Sequence, residues 1–156
     1  MSTQIGLLAA PVLPPLLPVT GSFALPFTAY FSWLSLRVVR YRIKDNQLVG
    51  DNSSKEVSEE ARLQNKLYLA SRCHQNFVEN VPFAFVLAAL AELNGGDRKT
   101  LTGLMSALFV FRVLHGDFGL NKGLCSGRPI GYFGTLATIG SLAGYAAYLV
   151  KGYWGF

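Results

Sequence analysis

The sequence predicts an all-α integral membrane protein, a bundle of four transmembrane helices forming one domain over residues 1–156. Charged residues make up only 15% of the chain, against about 25% in an ordinary soluble domain, and the mean hydropathy is +0.31. The charges are also unevenly spread, since none occurs from Met1 to Leu36 or from Pro129 to Val150. Both stretches exceed the roughly 20 apolar residues that a helix needs to cross about 30 Å of hydrocarbon.

Turn and charge signals divide the chain into spans. Prolines crowd the start and resist a helix interior, so the first helix is predicted to begin near residue 15, with Pro26 inside it. The polar segment 45–64 is predicted to be a loop in which Ser58 begins the next helix. Asn94-Gly95-Gly96 marks a turn. The predicted spans are about 15–43, 63–93, 100–118 and 128–151.

Lysine and arginine are concentrated in the first and third loops, which lie on one side of a four-span protein. That side carries eight (Arg40, Arg42, Lys44, Lys55, Arg62, Lys66, Lys122 and Arg128), and the other side three (Arg98, Lys99 and Lys151). Because positive loops stay cytoplasmic, both termini are predicted to be non-cytoplasmic. The membrane is predicted to be the endoplasmic reticulum or another intracellular membrane in a eukaryote, and the inner membrane in a bacterium. Since these basic residues occupy short loops and not one soluble face, the net charge of +5 does not indicate nucleic-acid binding.

The second predicted span carries polar residues within the hydrocarbon. Arg72, Asn76 and Glu79 recur at i, i+4 and i+7 and therefore share one helical stripe. A charge inside the membrane is costly and usually faces the bundle interior. One interpretation is an ion pair that joins helices, between Glu79 and Arg72 or Arg112. The other, which is favoured because charges inside a membrane usually serve function, is a pocket for a charged ligand near one membrane face.

The third and fourth spans add polar residues that fit such a pocket. Arg112 and His115 lie at i and i+3, and Arg128 and Tyr132 at i and i+4. The arginine fork suits carboxylates, and Glu79 suits an amino group. The set predicts a small flexible ligand with carboxylates and an amino group, although other anions fit the same chemistry, and it predicts no metal. Arginines are available from all four spans: Arg40, Arg72, Arg112 and Arg128.

Several motifs together resemble one family. Arg72 is followed by Asn76-x-x-Glu79 and, three residues on, by Pro82. The other matching segments are Val39-Arg40-Tyr41-Arg42 leading to Gly50-Asp51, then Arg112 with His115 and Gly119, then Arg128 with Gly131 and Thr135. This order resembles the MAPEG family, the membrane-associated proteins in eicosanoid and glutathione metabolism, and within it a small branch typified by bacterial inner-membrane members.

The resemblance implies a homotrimer of four-helix subunits, with glutathione as co-substrate bound between neighbouring subunits toward the cytoplasm. By motif position it implies that Arg128 and Tyr132 lie near the glutathione sulfur and are catalytic. The residues expected to hold glutathione are Arg40, Arg72, Asn76, Glu79, Arg112 and His115. The expected activity is a glutathione transferase or peroxidase acting on lipophilic electrophiles, in which an arginine stabilises the glutathione thiolate.

Two positions depart from the pattern of the prostaglandin-forming members. Pro129 stands where those members carry a serine after the catalytic arginine, and Gly119 where many members have a tyrosine. Prostaglandin synthesis is therefore not expected. An alternative from another class remains, a non-catalytic membrane protein that binds lipid or a partner in the same intersubunit cleft. A transporter is disfavoured because the polar residues cluster toward one face instead of crossing the membrane.

Overall fold

Every regular element in the computed structural model of the protein is helical, as the sequence predicts, within the residues that the structure describes: 16–50, 58–120 and 127–155. The elements are α1 (Pro18–Lys44), α2 (Glu59–Gln64), α3 (Lys66–Leu93), α4 (Arg98–Val113), a π-helix (Leu114–Leu120), α5 (Gly127–Leu149) and a 3₁₀ turn (Lys151–Trp154). The predicted start of the first span at residue 15 lies outside the described residues, as do loop positions 51–57 and 121–126.

The first helix is capped from another helix. Pro18 occupies the first turn of α1, where no N–H is needed, and Leu17 offers no side-chain cap. The backbone N–H groups of Val19 and Thr20 instead donate to the two carboxylate oxygens of Glu92, at 2.6 and 2.8 Å. This carboxylate sits near the end of α3, so it fixes the start of α1 against that helix. The α1 helix continues without interruption through Pro26.

A short helix occupies part of the predicted first loop. Ser58 caps α2 by accepting a hydrogen bond from the backbone N–H of Ala61. Asn65 then ends α2 in an extended conformation and caps α3, where its side chain accepts from the N–H of Tyr68 at 3.0 Å. The α3 helix therefore begins at Lys66, three residues after the predicted start at 63, because Asn65 interrupts the helical backbone.

The third long helix changes type along its length. Asp97 caps α4 by accepting from the backbone N–H and the hydroxyl of Thr100, so the helix begins at Arg98 instead of the predicted Thr100. These hydrogen bonds lower the pKa of the Asp97 carboxyl below its ordinary value, and the one from the Thr100 backbone has the larger effect. After Val113 the chain winds as a π-helix to Leu120, a transition that the sequence did not predict.

The long helices pack through small and aromatic residues. The α3 helix contacts α1, α4 and α5, and α4 contacts α1 and α5. Ala84, Ala88 and Ala91, fully buried at i, i+4 and i+7, allow close approach to α3. The ring of Phe27 stands edge-on to those of Phe85 and Phe109, at 5.0 and 5.1 Å between centroids.

The outer surface is strongly apolar. Large hydrophobic side chains are exposed on each of the four long helices, including Leu25, Trp33, Phe83, Val110 and Phe133, the last 66% exposed. A soluble monomer rarely exposes so much apolar surface. Among the described residues, two helical stretches are long and apolar enough to cross a membrane, Lys66–Leu93 and Arg98–Leu120. Both features agree with a membrane protein.

Candidate functional site

A cavity of about 750 Å³ opens between α2, α3, the π-helix and α5. Its size falls in the range of about 300–1,000 Å³ typical of small-molecule sites. Five of the residues predicted from the sequence line it: Arg72, Asn76, His115, Arg128 and Tyr132. The remaining lining residues are Arg62, Leu63, Tyr68, Leu69, Leu120 and Pro129. The structure thus brings together residues from helical segments that are widely separated in the chain.

The charged residues that line the cavity are positive and favour a negatively charged ligand. Arg62, Arg72 and Arg128 line it, and among its described lining residues there is no carboxylate. Arg72 is oriented by its own helix, because its Nη1 donates to the Oε1 atom of Gln75 at 2.8 Å. A guanidinium group remains charged at every physiological pH and presents five donors. Three of them around one cavity favour an anionic ligand, in particular one with carboxylates.

The π-helix brings His115 to the cavity wall. Its Nδ1 atom lies 3.0 Å from the backbone carbonyl oxygen of Arg128. A carbonyl can only accept, so Nδ1 carries the proton in this hydrogen bond, and Nε2 is the acceptor of the neutral ring. The same bond ties the start of α5 to the π-helix. Single π-helical turns occur frequently at functional sites.

Glycines allow α5 to lie against the π-helix. A Cβ atom on Gly119 would come within 2.6 Å of the backbone nitrogen and Cα of Arg128. A Cβ atom on Gly131 would come within 2.5 Å of the backbone nitrogen of His115. Neither position tolerates a side chain without movement of a backbone. Gly119 and Gly131, which belong to the sequence pattern, therefore set the spacing between Arg128 and His115.

Arg112 lies behind the cavity wall and does not line it. The residue is only 3% exposed. Its Nε donates to the hydroxyl of Thr135 at 2.8 Å, Nη1 to the Oδ1 atom of Asn76 at 2.5 Å, and Nη2 to the carbonyl of Gly131 at 3.3 Å. The guanidinium group thus links α4 to α3 and α5. It also fixes the amide of Asn76, because Oδ1 is engaged and the NH₂ group is left to donate to a ligand.

Two other predicted residues do not reach the cavity. Arg40 is exposed on α1, and Glu79 is exposed on α3. The ion pair suggested between Glu79 and Arg72 or Arg112 is not formed either. Among the described residues, an ion pair instead joins Arg37 on α1 to Asp117 in the π-helix. The Arg37 side chain is only 10% exposed and the Asp117 side chain 25%.

This ion pair belongs to a small polar cluster that the sequence did not predict. The hydroxyl of Tyr30 donates to Asp117 Oδ2 at 3.0 Å, while Arg37 donates to the other carboxylate oxygen. Cys73, which is buried, donates from Sγ to the carbonyl of Gly116 at 3.4 Å. The cluster attaches the π-helix to α1 and α3. The sequence does contain one indication of this cluster: Tyr30 and Arg37 are spaced at i and i+7, which places both on one face of α1.

Comparison with known proteins agrees with the motif evidence. A model of the MAPEG family matches residues 21–148. No curated protein and no solved structure matches the chain. The family match includes every residue that lines the cavity, together with the Arg72–Glu79 motif, the Arg112–His115 pair and Arg128. The chain therefore belongs to the MAPEG family.

Proposed function

We propose that the protein is a membrane-bound glutathione transferase or peroxidase that acts on lipophilic electrophiles. The observation that carries this proposal is the convergence of three arginines with Asn76, His115 and Tyr132 on one cavity. Glutathione bears two carboxylates, an ammonium group, two amides and a thiol. The arginines match its carboxylates, and the amide of Asn76 and the ring of His115 match its peptide groups.

Arg128 is proposed to stabilise the reactive thiolate. A free thiol has a pKa of about 8.5 and is mostly protonated at neutral pH, and a nearby guanidinium group lowers that value. The thiol releases its proton to water, and the thiolate sulfur attacks the electrophilic carbon of the substrate. A carbon–sulfur bond forms while the leaving group departs with its electron pair. Tyr132, also in the cavity wall, donates a hydrogen bond that spreads the negative charge on sulfur.

The proposed assembly is a homotrimer in which the four long helices of each subunit form a four-span bundle. Arg40 and Glu79 are exposed outside the cavity of a single chain. A charge on a membrane helix needs a partner or a polar environment, and a neighbouring subunit's ligand supplies both.

The assembly has its own test, separate from catalysis. If glutathione binds between subunits, Glu79→Ala weakens its binding even though Glu79 lies outside the cavity of one chain. Isothermal titration with glutathione measures this change, and size-exclusion chromatography with light scattering measures the trimer. Unchanged affinity in Glu79→Ala would contradict an intersubunit site that includes this residue.

The catalytic role of Arg128 is tested by conjugation of glutathione to a chlorodinitrobenzene. We expect Arg128→Ala to lose about 10²-fold or more in kcat, comparable to removal of one charge-stabilising donor in other enzymes. Glutathione affinity should change much less. Arg98→Ala is the matched control, since Arg98 is an exposed arginine at the start of α4 and does not line the cavity. Normal turnover by Arg128→Ala would show that this assignment is wrong.

The alternative function is a non-catalytic protein that binds lipid or a partner in the same cleft. Pro129 supports it, because this residue lines the cavity directly after Arg128 and has no hydroxyl to donate to a thiolate. This alternative predicts binding of lipid without glutathione turnover. The conjugation assay with the wild-type protein separates the two functions.

A further inference from the structure

A second recess lies between α1 and α3, away from the cavity described above. Its polar part has a volume of about 300 Å³ and is lined by Val38, Arg42, Gly50, Ser71, His74 and Gln75. None of these residues lines the first cavity. The recess faces the end of α1 that carries the basic residues Arg42 and Lys44, where a membrane helix meets the headgroup layer.

The polar part contains donors without a partner. Arg42 Nε, Ser71 Oγ and His74 Nε2 are buried atoms with no hydrogen-bond partner in the structure. A buried polar atom that forms no hydrogen bond destabilises the protein, so three such atoms in one recess indicate a ligand. Gln75 adds a fourth donor, since its Oε1 accepts from Arg72 and its NH₂ group remains to donate. A cation, a hydroxyl, an amide and an imidazole suit the oxygens of a phosphate group.

An apolar groove of about 360 Å³ continues this recess along the same two helices. Its wall includes Ala24, Thr28 and Phe31 from α1 and Phe77, Val78 and Phe85 from α3. The two parts meet where the ring of Phe31, in the apolar wall, lies 5.2 Å from the ring of His74, in the polar wall. From Phe77 to Phe85 the helix rises about 12 Å. That length approaches half of the roughly 30 Å hydrocarbon thickness, the depth of one lipid leaflet.

We propose that the α1–α3 recess binds one phospholipid of net negative charge, with its phosphate on Arg42, Ser71 and His74 and an acyl chain along the groove that Phe31 and Phe77 line. The inference rests on the position of the polar pocket relative to the apolar groove. A polar pocket with unpaired donors lies at the basic end of the helices, and an apolar groove of one-leaflet depth runs from it. A free anion would use the first part alone, and an uncharged apolar molecule the second alone. A phospholipid uses both.

The test is binding of dioleoyl phosphatidylglycerol to the full chain in detergent, measured by native mass spectrometry over a range of lipid concentrations. We expect Arg42→Gln to weaken binding about tenfold or more, because hydrogen bonds to charged groups contribute about 1.5–3 kcal/mol and each 1.4 kcal/mol is tenfold. Lys44→Gln is the matched control, since Lys44 is an exposed cation on the same helix end outside the recess.

A second variant tests the acyl groove without altering charge. Thr28→Phe fills the groove and should also weaken phosphatidylglycerol binding, while Ser32→Phe, one turn along α1 and outside the groove, should not. Circular dichroism verifies that each variant keeps its helix content. Binding that is equal in the wild type, Arg42→Gln and Thr28→Phe would overturn the proposal.

Competing ligands identify the occupant. Inorganic phosphate that displaces the lipid at equal concentration would overturn the lipid assignment in favour of a free anion. Phosphatidylcholine that binds as tightly as phosphatidylglycerol would overturn the selection for net charge. Displacement by glutathione would assign the recess to the glutathione site. If the two variants change the oligomeric state and not lipid binding, a second copy of the chain covers this face and the proposal is wrong.

Discussion

Replacement of Gly131 by alanine tests the contact between α5 and the π-helix. The added Cβ would lie 2.5 Å from the backbone nitrogen of His115, 2.6 Å from its Cβ, and 2.6 Å from the carbonyl oxygen of Phe111. Two of these three atoms are backbone, so relief requires a movement of α5 and not only of a flexible side chain. Such a movement also disturbs the Gly131 carbonyl, which accepts hydrogen bonds from Arg112 and Thr135.

The magnitude follows from a comparison with Gly140 on the same helix. A Cβ at Gly140 meets nothing within 4 Å, so Gly140→Ala should stabilise the protein by about 1 kcal/mol through helix propensity alone. Gly131→Ala gains the same propensity but is destabilised by overpacking, typically by about 1–3 kcal/mol. The difference between the two variants isolates the packing contribution. We therefore expect Gly131→Ala to be about 1–3 kcal/mol less stable than Gly140→Ala.

The assay is the free energy of unfolding in mixed micelles, from titration with sodium dodecyl sulfate followed by far-ultraviolet circular dichroism. Glutathione binding should also weaken in Gly131→Ala, because His115 and Arg128 move apart with the two helices. Equal stability of Gly131→Ala and Gly140→Ala would refute the close approach on which the geometry of the cavity depends.

Three further predictions concern other links in the fold and use the same unfolding titration. Glu92→Ala should lower the free energy of unfolding by about 1–2 kcal/mol, because the first N–H groups of α1 lose their cap; an unchanged value would contradict the capping role. Arg37→Leu should lower the free energy of unfolding by about 3 kcal/mol, because the carboxylate of Asp117 is left without its cation. The double variant that combines Arg37→Leu and Asp117→Leu should recover most of this loss. An equal loss in the double variant would contradict the electrostatic explanation. The hydrogen bonds from Thr100 depress the pKa of Asp97, so the stability that this cap contributes is fully present above the unfolded pKa of about 3.9 and is lost as pH falls through the lowered pKa. Asp97→Ala should therefore lack this part of the acid dependence of the free energy of unfolding. An identical pH profile in the variant and the wild type would contradict the role of this cap.

Helical periodicity accounts for the part of the site that could be predicted. The i, i+4 spacing of Arg72 and Asn76, and of Arg128 and Tyr132, places each pair on one helical face wherever its helix packs. These four residues, with His115, line one cavity. The all-helical class was equally accessible, because long uncharged stretches indicate membrane helices before any tertiary contact is known.

The position of Arg112 could not be predicted from spacing. Whether an arginine faces a ligand or a neighbouring helix depends on the rotation of α4 relative to α3 and α5. Its partners Thr135 and Gly131 lie 23 and 19 positions further along the chain. The π-helix was missed for a related reason, since the segment Leu114–Leu120 has no pattern that distinguishes it from a continued α-helix. Tertiary contacts, including the Asp117 ion pair, accompany this change of winding.

The contribution of α2 was missed because its residues lie in a polar segment. Residues 45–64 contain asparagine, serine and glycine and were predicted to be a loop in which Ser58 begins the next helix, but Arg62 and Leu63 were not predicted to belong to the site. Ser58 and Asn65 delimit a six-residue helix there, and this helix brings Arg62 to the cavity. The boundary residues were visible in the sequence, but the direction of so short a helix depends on how it packs against α3.

Isothermal titration of glutathione into the detergent-purified protein measures whether the cavity between α2, α3, the π-helix and α5 binds glutathione through its arginines. We predict saturable binding to the wild type, a loss of about tenfold or more in Arg72→Ala, and unchanged affinity in the control Arg98→Ala. Absence of binding at millimolar glutathione, or equal affinity in all three proteins, would contradict the claim and favour the lipid-binding alternative.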